Sequence, residues 1–399
     1  MNIFGKIYCR AFQQVFRWIM PHLPYRQPQT LDSILEIKNI LRMNYITSVL
    51  IVTDKGIRDL KLTKPLEDDL KNYNIKVSIY DGTVPNPTVD NVEEGFSIYN
   101  ENKCEGIVAF GGGSVMDCAK MIGARVVNPE KPVSKMKGLL KVKNKLPMLI
   151  AIPTTAGTGS ETTLTAVITD KEKGHKYTVN DFNLFPNYAI LDASLTTGLP
   201  KNFTATTGMD ALTHAIEAYI GNSTTEETKN ASLEACRLIF ENITKAYDEG
   251  DNLRWRGYML KASYLAGVAF TRSYVGYVHA IAHSLGGKYN TPHGLANAVI
   301  LPYVLSEYGS TIYSKIKEIA VHCNIARKYD TEENATSMFI NKLFELNEYL
   351  GIPRKFDFIK KEDINEMAKH ASHEANPLYP VPKLLSKKQL SKIYFKIAL

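Results

Sequence analysis

The sequence predicts a two-domain protein in which an N-terminal α/β domain with a mainly parallel sheet precedes an all-helical C-terminal domain. Between about residue 30 and residue 198, short apolar segments alternate with helical patterns, as expected for parallel strands covered on both faces. Beyond Leu199 the strand pattern fades and helical patterns take over. A chain of 399 residues, 44% of them hydrophobic, is long enough to form two cores.

Residues 1–28 form an N-terminal extension with the pattern of an amphipathic helix. Apolar residues recur at helical spacing from Phe4 to Ile19, with Lys6, Arg10 and Arg17 among them. The charges interrupt the apolar stretch and no small-residue cleavage site follows, which argues against a signal peptide. We expect the helix to dock onto the protein's own body or onto a second subunit, with reversible contact with a membrane surface as the alternative.

Residues 29–198 are predicted to form the α/β domain. A helical stripe at residues 31–41 precedes the first strand. The predicted strands are short apolar runs at residues 48–53, 76–80, 106–110, 147–152 and 188–191. In such sheets ligands gather at the carboxyl ends of the strands, so the loops after the strands are the candidate binding segments.

Residues 199–399 are predicted to form the helical domain. Helical stripes cover residues 211–219, 231–247, 260–269, 278–285 and 312–325. Prolines at positions 353, 377, 380 and 382 are expected to interrupt helices near the end of the chain.

Charge and cysteine usage exclude several classes of protein. The net charge of +7 is concentrated in residues 1–26 and 383–399, which contain basic but no acidic residues. The body therefore has no basic face, and nucleic acid is not an expected partner. The five cysteines lie far apart with no CxxC pair, which indicates reduced thiols and a cytoplasmic protein. No apolar run is as long as a membrane span.

A glycine-rich turn, Gly111, Gly112, Gly113 and Ser114, follows the third predicted strand. Glycines let the backbone approach a ligand closely, and the next helix offers unpaired N–H groups and a positive dipole end, which together suit a pyrophosphate. The motif is not GxGxxG and follows a later strand than the first, so it is not the usual Rossmann fingerprint. A tight turn without a ligand is the alternative.

Two more loops agree with a dinucleotide. Asp54 follows the first strand, where a carboxylate can accept hydrogen bonds from ribose hydroxyls and would repel a 2′-phosphate; its alternative role is that of a turn or cap residue. The loop at residues 153–161 carries Thr154, Thr155 and Thr158, whose hydroxyls could hold phosphate or ribose. Such loops also occur without a ligand.

Two segments contain candidate metal ligands. His279 and His283 are four residues apart and project from one helix face, and an intervening turn can bring His293 back toward that face. Asp210 and His214 have the same helical spacing upstream. Together they could supply one carboxylate and two or three imidazoles to a divalent ion. The spacing does not exclude His283 as a ligand, and each pair taken alone fits a packing or surface role as well.

The motifs resemble those of the iron-containing (group III) alcohol dehydrogenases along nearly the whole chain from about residue 30. The matching pieces, in order, are VTDKG, DGTVPNPT, GGGSVMDCAK, PTTAGTGSE, GMDALTHAIEAY, HAIAHSLGG and NTPHGLANAVILP. Several long motifs in the right order are more specific than any single one. The resemblance implies that residues 29–198 bind a dinucleotide and that residues 199–399 bind a metal.

The resemblance also implies roles for individual residues. It makes Asp210, His214, His279 and His293 the metal ligands and places His283 beside the nicotinamide and substrate. His283 would pass the proton to solvent, or would only pack against the nicotinamide. The implied metal is Fe(II), with zinc as the alternative ion, since three imidazoles and one carboxylate suit both.

A further set of residues matches cofactor positions of the family, and Asp54 matches the position that favours NAD over NADP. The set is Asp54, Asn86, Gly111, Gly112, Gly113, Ser114, Thr154, Thr155, Thr158 and Lys176.

The implied activity is hydride transfer between NAD(H) and a small alcohol or aldehyde, with the ion as a Lewis acid on the substrate oxygen. A homo-oligomer, such as a dimer, is expected. The alternatives are an enzyme like the dehydroquinate synthases, which use metal and NAD within a cyclisation, and a non-catalytic metal-binding protein. Net accumulation of NADH with simple alcohols would distinguish an alcohol dehydrogenase from an enzyme like the dehydroquinate synthases, which uses hydride transfer only transiently. GMDALTHAIE argues against the zinc-using glycerol dehydrogenases.

One stretch departs from the commoner family pattern. Before His279 many relatives have a small neutral run, whereas this chain has bulkier residues that include Arg272 and Tyr274. Because of this difference, the resemblance does not imply a particular diol or alkanol as the substrate of this chain. Arg272 would recognise an anionic substrate group if it faced the pocket, and its alternative role is an ion pair with an acid on a helix surface.

Overall fold

The computed structural model describes residues 3–170 and 175–399, and the chain divides into two compact units. One unit combines Met1–Leu23 with Leu199–Leu399, and the other is Pro24–Gly198. The N-terminal helix α1, Ile3–Ile19, continues into a short 3-10 helix, Met20–His22.

The unit Pro24–Gly198 is an α/β unit. Its described strands are β1 Gln29–Leu31, β2 Ser48–Val52, β3 Lys76–Tyr80, β4 Gly106–Gly111, β5 Gly138–Leu139, β6 Met148–Pro153, β7 Thr165–Asp170, β8 His175–Asn180 and β9 Tyr188–Ile190. Its described α-helices are α2 Ile37–Met43, α3 Lys55–Asp59, α4 Lys64–Asn72, α5 Val89–Glu101 and α6 Gly113–Val126. Short 3-10 helices lie at Ile34–Glu36, Val133–Met136, Ser160–Thr162, Phe182–Leu184 and Ala193–Thr196.

The main sheet has six strands in the order β1-β9-β6-β4-β2-β3, and all its pairings are parallel. Successive residues of β2, β4 and β6 enter two different cores. Leu50, Ile107 and Leu149 belong to one apolar cluster, whereas Ile51 and Val108 belong to the other. Side chains alternate across a strand, so the sheet is buried on both faces, which confirms the predicted fold class for this half.

A smaller sheet has the order β5-β8-β7, in which β8 pairs antiparallel with β7 and parallel with β5. No strand was predicted between residues 153 and 187, and β1 was not predicted either. Strand β7 alternates between buried and partly buried residues, and β1 is three residues long. Neither strand therefore carries a continuous apolar run like those of β4 and β6.

The other unit is helical, as predicted. Besides α1 it contains α7 Lys201–Ile220, α8 Glu226–Asp248, α9 Leu253–Ser273, α10 Tyr277–Tyr289, α11 His293–Tyr308, α12 Tyr313–His322, α13 Glu332–Tyr349, α14 Ile364–Ala375 and α15 Lys387–Ile397. A 3-10 helix, Gly309–Ile312, joins α11 and α12. Helix α7 is its centre: every residue from 208 to 220 is buried, and α7 packs against α8, α9 and α11.

Helix α1 docks onto its own unit through polar side chains. The guanidinium of Arg10 donates to the carbonyl oxygens of Val381 and Pro382 at 2.7 and 2.9 Å. Gln13 is buried, and its amide donates to the carbonyl oxygen of Tyr379 at 2.7 Å. This docking agrees with the first of the three roles expected for the extension, contact with the protein's own body.

Among the described residues, no helix combines the length and the apolar character that crossing a membrane requires. The five cysteines are all buried and free of disulfides.

Candidate metal centre and cofactor loops

Four predicted metal ligands come together inside the helical unit. Asp210 and His214 lie one turn apart on α7, His279 lies in the first turn of α10, and His293 is the first residue of α11. Each offers one ligand atom, and these atoms all lie within 4.8 Å of one another. The first three side chains are buried, and His293 is partly exposed. An open side toward solvent suits a catalytic rather than a structural ion.

The start of α11 reaches this position because Gly294 follows His293. A Cβ atom on Gly294 would lie 2.3 Å from the backbone oxygen of Thr206 on α7, which no side chain tolerates. With glycine there, Nε2 of His293 lies 3.5 Å from Oδ1 of Asp210. The amide nitrogen of Asn297, one turn along α11, donates to the same Asp210 oxygen at 2.6 Å.

Burial favours the neutral imidazole form of two of the ligand histidines, His214 and His279. Burial lowers the pKa of His214 to about 3, with the neighbouring histidines acting in the same direction and Asp210 against it. Burial likewise lowers the pKa of His279 and raises that of Asp210. Among the residues that the structure describes, Nδ1 of buried His214 finds no hydrogen-bond partner. Neutral imidazoles next to a buried carboxylate are a donor set that fits a divalent cation.

Glu217 is a site residue that the sequence analysis quoted within GMDALTHAIEAY without giving it a role. Its carboxylate lies 2.6 Å from Nδ1 of His279 and accepts the backbone N–H groups of Gly276 and Val278 at 2.8 Å each. It therefore both caps α10 and orients His279. Burial raises the pKa of Glu217, and the backbone hydrogen bonds act against that shift. Its place on α7, three residues after His214, puts it on the ligand face and was a usable signal.

The sequence spacing left open whether His283 is also a metal ligand. In the structure, His283 lies outside the group of four ligand residues. Its ring stacks on that of His293 with centroids 5.1 Å apart, and its Nδ1 lies 2.6 Å from the carboxylate of Glu374. Tyr379 donates its hydroxyl to the same Glu374 oxygen at 2.8 Å. Burial lowers the pKa of His283, whereas the carboxylate of Glu374, together with those of Asp210 and Glu217, raises it, and the net direction is upward. Glu374 and Tyr379 were not identified from the sequence, since only the tertiary fold brings α14 beside α10.

The glycine turn sits where the sequence placed it, at the carboxyl end of β4 and the start of α6. The loop after β6 lies beside it: the backbone N–H of Thr154 donates to the oxygen of Gly111 at 3.2 Å. A Cβ atom on Gly113 would lie 3.0 Å from the side chain of Thr158, and one on Gly112 would lie 3.6 Å from that of Thr155. The two predicted cofactor loops are thus neighbours at one sheet edge.

A buried lysine holds these loops together. Lys120 of α6 is fully buried, and its ammonium donates to the backbone oxygens of Ser160, Thr163 and Thr165 at 2.8 to 2.9 Å. Burial lowers its pKa to about 8, while Asp117 acts in the opposite direction. Lys120 belongs to the GGGSVMDCAK motif, but no role was predicted for it from the sequence.

The remaining cofactor candidates are more dispersed. Asp54 caps α3, accepting the N–H of Ile57 at 2.9 Å, so its alternative role as a cap is present. Asn86 is exposed, and its backbone N–H donates to Oγ of Ser114 at 3.3 Å, which ties DGTVPNPT to the glycine turn. Lys176 lies exposed on β8.

The structure favours the structural alternative for Arg272. Its guanidinium forms an ion pair with Glu227 of α8. Tyr274, in the same unusual stretch, has a positive φ of 62° and an edge-to-face contact with Phe16 of α1. Arg272 therefore links the end of α9 to α8, and we do not assign it a role in substrate recognition.

Comparisons with known proteins agree with this arrangement. A family model described as iron-containing alcohol dehydrogenase matches residues 28–193, and a model of the C-terminal part of the Fe-containing alcohol dehydrogenase family matches residues 204–398. "Alcohol dehydrogenase 4" of Saccharomyces cerevisiae is 40% identical over 330 residues, covering 82% of this chain and 85% of the relative.

Two solved structures have the same fold. The crystal structure of a 1,3-propanediol oxidoreductase matches with a TM-score of 0.90 and 34% identity over 94% of this chain and 99% of its own. A sulfoacetaldehyde reductase from Bifidobacterium kashiwanohense, solved in complex with NAD+, matches with a TM-score of 0.84 and 27% identity over 94% of this chain and 98% of its own.

Family matches to both halves and a relative of 40% identity confirm the resemblance seen in the motifs. The protein is an oxidoreductase acting on CH–OH groups, which interconverts alcohols and aldehydes with a nicotinamide cofactor. The chain belongs to the iron-containing alcohol dehydrogenase family.

Proposed function

We propose that this enzyme works with Fe(II) held by Asp210, His214, His279 and His293, and that it prefers NAD(H) to NADP(H). The observation that carries the proposal is the convergence of these four ligand atoms within 4.8 Å in the helical unit. Zinc suits the same donor set, and the iron named in the family description supports Fe(II) as the native ion. When bound, the ion supplies a Lewis acid for the oxygen of the alcohol or aldehyde.

The protein's own groups keep the ligands ready for the ion. Glu217 accepts the Nδ1 proton of His279, which leaves the lone pair on Nε2 of that ring. The backbone N–H groups of Gly276 and Val278 donate to the Glu217 carboxylate and fix its position. The fixed carboxylate in turn sets the orientation of the His279 ring. Ring position is thus set before any ion arrives, which reduces reorganisation on binding.

His283 is the proposed proton carrier. With the Nδ1 proton directed to Glu374, Nε2 is left to take the hydroxyl proton during alcohol oxidation and to return it during aldehyde reduction. The side chain of His283 is 44% exposed, so the proton can pass on to water. Glu374 stabilises the protonated imidazole through its carboxylate.

The cofactor loops are proposed to hold the dinucleotide, whose nicotinamide supplies or accepts the hydride. Gly111, Gly112, Gly113 and Ser114 would bind the pyrophosphate at the N-terminus of α6, where backbone N–H groups and the helix dipole favour anions. The hydroxyls of the loop after β6 and the side chains of two outlying residues would add further contacts: Thr154, Thr155, Thr158, Asn86 and Lys176.

The reaction and the metal can be tested together. The protein is purified anaerobically, loaded with Fe(II) or with zinc, and assayed for oxidation of NADH or NADPH with a panel of neutral and acidic aldehydes. We expect Fe(II) to give the higher rate, NADH to be the better donor and neutral aldehydes to be the better substrates, since Arg272 is already paired with Glu227. A fully metallated preparation that reduces no aldehyde with either nucleotide would contradict the proposal.

Replacing Asp54 tests the cofactor preference. We expect the ratio of kcat/KM for NADPH to that for NADH to rise at least about tenfold in Asp54→Asn, because a like-charge contact with the 2′-phosphate costs several kcal/mol and each ~1.4 kcal/mol is tenfold. Asparagine is as good an N-cap as aspartate, so the cap on α3 is kept. Asp54→Gly, which loses the cap side chain, should show the same change in ratio. An unchanged ratio in both variants would remove Asp54 from the cofactor site.

The remaining expectations, a homo-oligomer such as a dimer and a cytoplasmic location, also stay proposals. The second rests on the five dispersed cysteines.

A further inference from the structure

One face of helix α1 packs against its own unit, and the opposite face is exposed in the part of the chain that the structure describes. Its docked side consists of buried Cys9 and Gln13, with Arg10 and Phe16 beside them. The opposite side carries large apolar residues at helical spacing, each about half exposed or more: Phe4 (78%), Ile7 (61%), Tyr8 (61%), Val15 (51%), Trp18 (67%) and Ile19 (48%). A contiguous exposed apolar face of this kind marks a surface that another partner covers.

The charges around this face identify the occupant. Residues 1–26 contain four basic residues and no acidic residue, and two of them, Lys6 and Arg17, are exposed on α1. A second copy of α1 would bring the same cations without a counterion. Anionic lipid headgroups supply the missing negative charge, and the acyl chains below them accept the apolar side chains.

The shape of the helix agrees with a position in the bilayer interface. Trp18 and Tyr8 are amphipathic aromatic residues of the kind enriched at the level of the headgroups. The apolar free side runs from Phe4 to Ile19 while Arg10 and Gln13 hold the opposite side to the unit, so the helix can lie parallel to the membrane plane and remain attached. Both family models leave α1 unmatched, since the first begins at residue 28.

We propose that α1 binds this enzyme peripherally to an anionic lipid bilayer, with the apolar face made by Phe4, Ile7, Val15 and Trp18 buried among the acyl chains. The surface shares no residue with the metal centre or the cofactor loops, and its function does not depend on the roles proposed for their residues.

The test is co-sedimentation of the full, metal-loaded enzyme with phosphatidylglycerol-containing vesicles and with pure phosphatidylcholine vesicles. We expect binding to the anionic vesicles that falls as salt is raised, and on the order of tenfold weaker binding in Ile7→Glu, which places a charge in the apolar face. The matched control is Met338→Glu, a change at an exposed apolar residue of α13, which should bind like the wild type. NADH-dependent aldehyde reduction without vesicles, together with circular dichroism, verifies that both variants are folded.

A spectroscopic measurement reports on the helix itself. The chain has two tryptophans, Trp18 and Trp255, so Trp255→Phe leaves Trp18 as the only emitter. Its emission should move to shorter wavelength with anionic vesicles. Absence of vesicle binding, equal binding of Ile7→Glu and wild type, or an oligomer that Ile7→Glu dissociates without any lipid effect would each overturn the proposal. The last result would assign the face to a second copy of the chain.

Discussion

His279→Ala is expected to abolish metal binding and to lower the rate of aldehyde reduction by at least roughly 1000-fold, since Lewis-acid stabilisation is worth several kcal/mol and each 1.36 kcal/mol is tenfold. His279 contributes one of the four ligand atoms of the cluster, and its ring is 98% buried between His214 and His293. Alanine leaves three ligands and removes the imidazole partner of Glu217, whose carboxylate keeps only its backbone donors. Metal analysis after dialysis and steady-state rates with NADH measure both effects.

Glu217→Gln should give an intermediate result, with metal affinity reduced about 10- to 100-fold, as is usual when the partner of a ligand histidine is changed. An amide cannot accept all the hydrogen bonds that Glu217 accepts from Gly276, Val278 and His279. Glu318→Gln is the control, since that carboxylate belongs to the same unit but contacts Tyr219 and Lys229 instead. Full metal content and rate in His279→Ala would show that the ligand assignment is wrong.

Much of the architecture could be read from the sequence because its central strands are continuous apolar runs. Strands β2, β3, β4, β6 and β9 were predicted to within a residue or two. Helix α11 was missed for the opposite reason: residues 296–302 are all buried, so the helix shows no polar face and no helical period in hydrophobicity. The 12- and 11-residue helices α14 and α15 lie among prolines and lysines, which concealed their apolar stripes.

The candidate site was predictable where spacing along one helix carries the geometry. Asp210 and His214 lie one turn apart on α7, and the position of His279 was assigned by resemblance of its motif. The partners that orient these residues come from elsewhere in the chain. Glu374 is 91 positions after His283, so no local pattern could pair them. Gly294 was given no role from the sequence, yet its missing side chain lets α11 approach α7.

His283→Ala is expected to keep the metal and to lose turnover, with kcat lower by about 10²- to 10⁴-fold, the usual contribution of a positioned acid or base. His283 lies outside the four-ligand set, so its removal leaves the donor atoms for the ion intact. Glu374→Gln should lower kcat by less, since His283 stays in place and loses only the carboxylate that stabilises its protonated form.

The decisive comparison uses metal content and rate together, because loss of rate with loss of metal would make His283 another ligand. His370→Ala is the matched control, an exposed histidine of α14 that should keep both quantities. Added imidazole should restore part of the rate of His283→Ala, since the cavity opens to solvent where the side chain was 44% exposed. If His283 only packs against the nicotinamide, added imidazole has no catalytic group to replace. A wild-type kcat in His283→Ala that does not change when imidazole is added would therefore assign His283 that packing role and leave proton transfer to water.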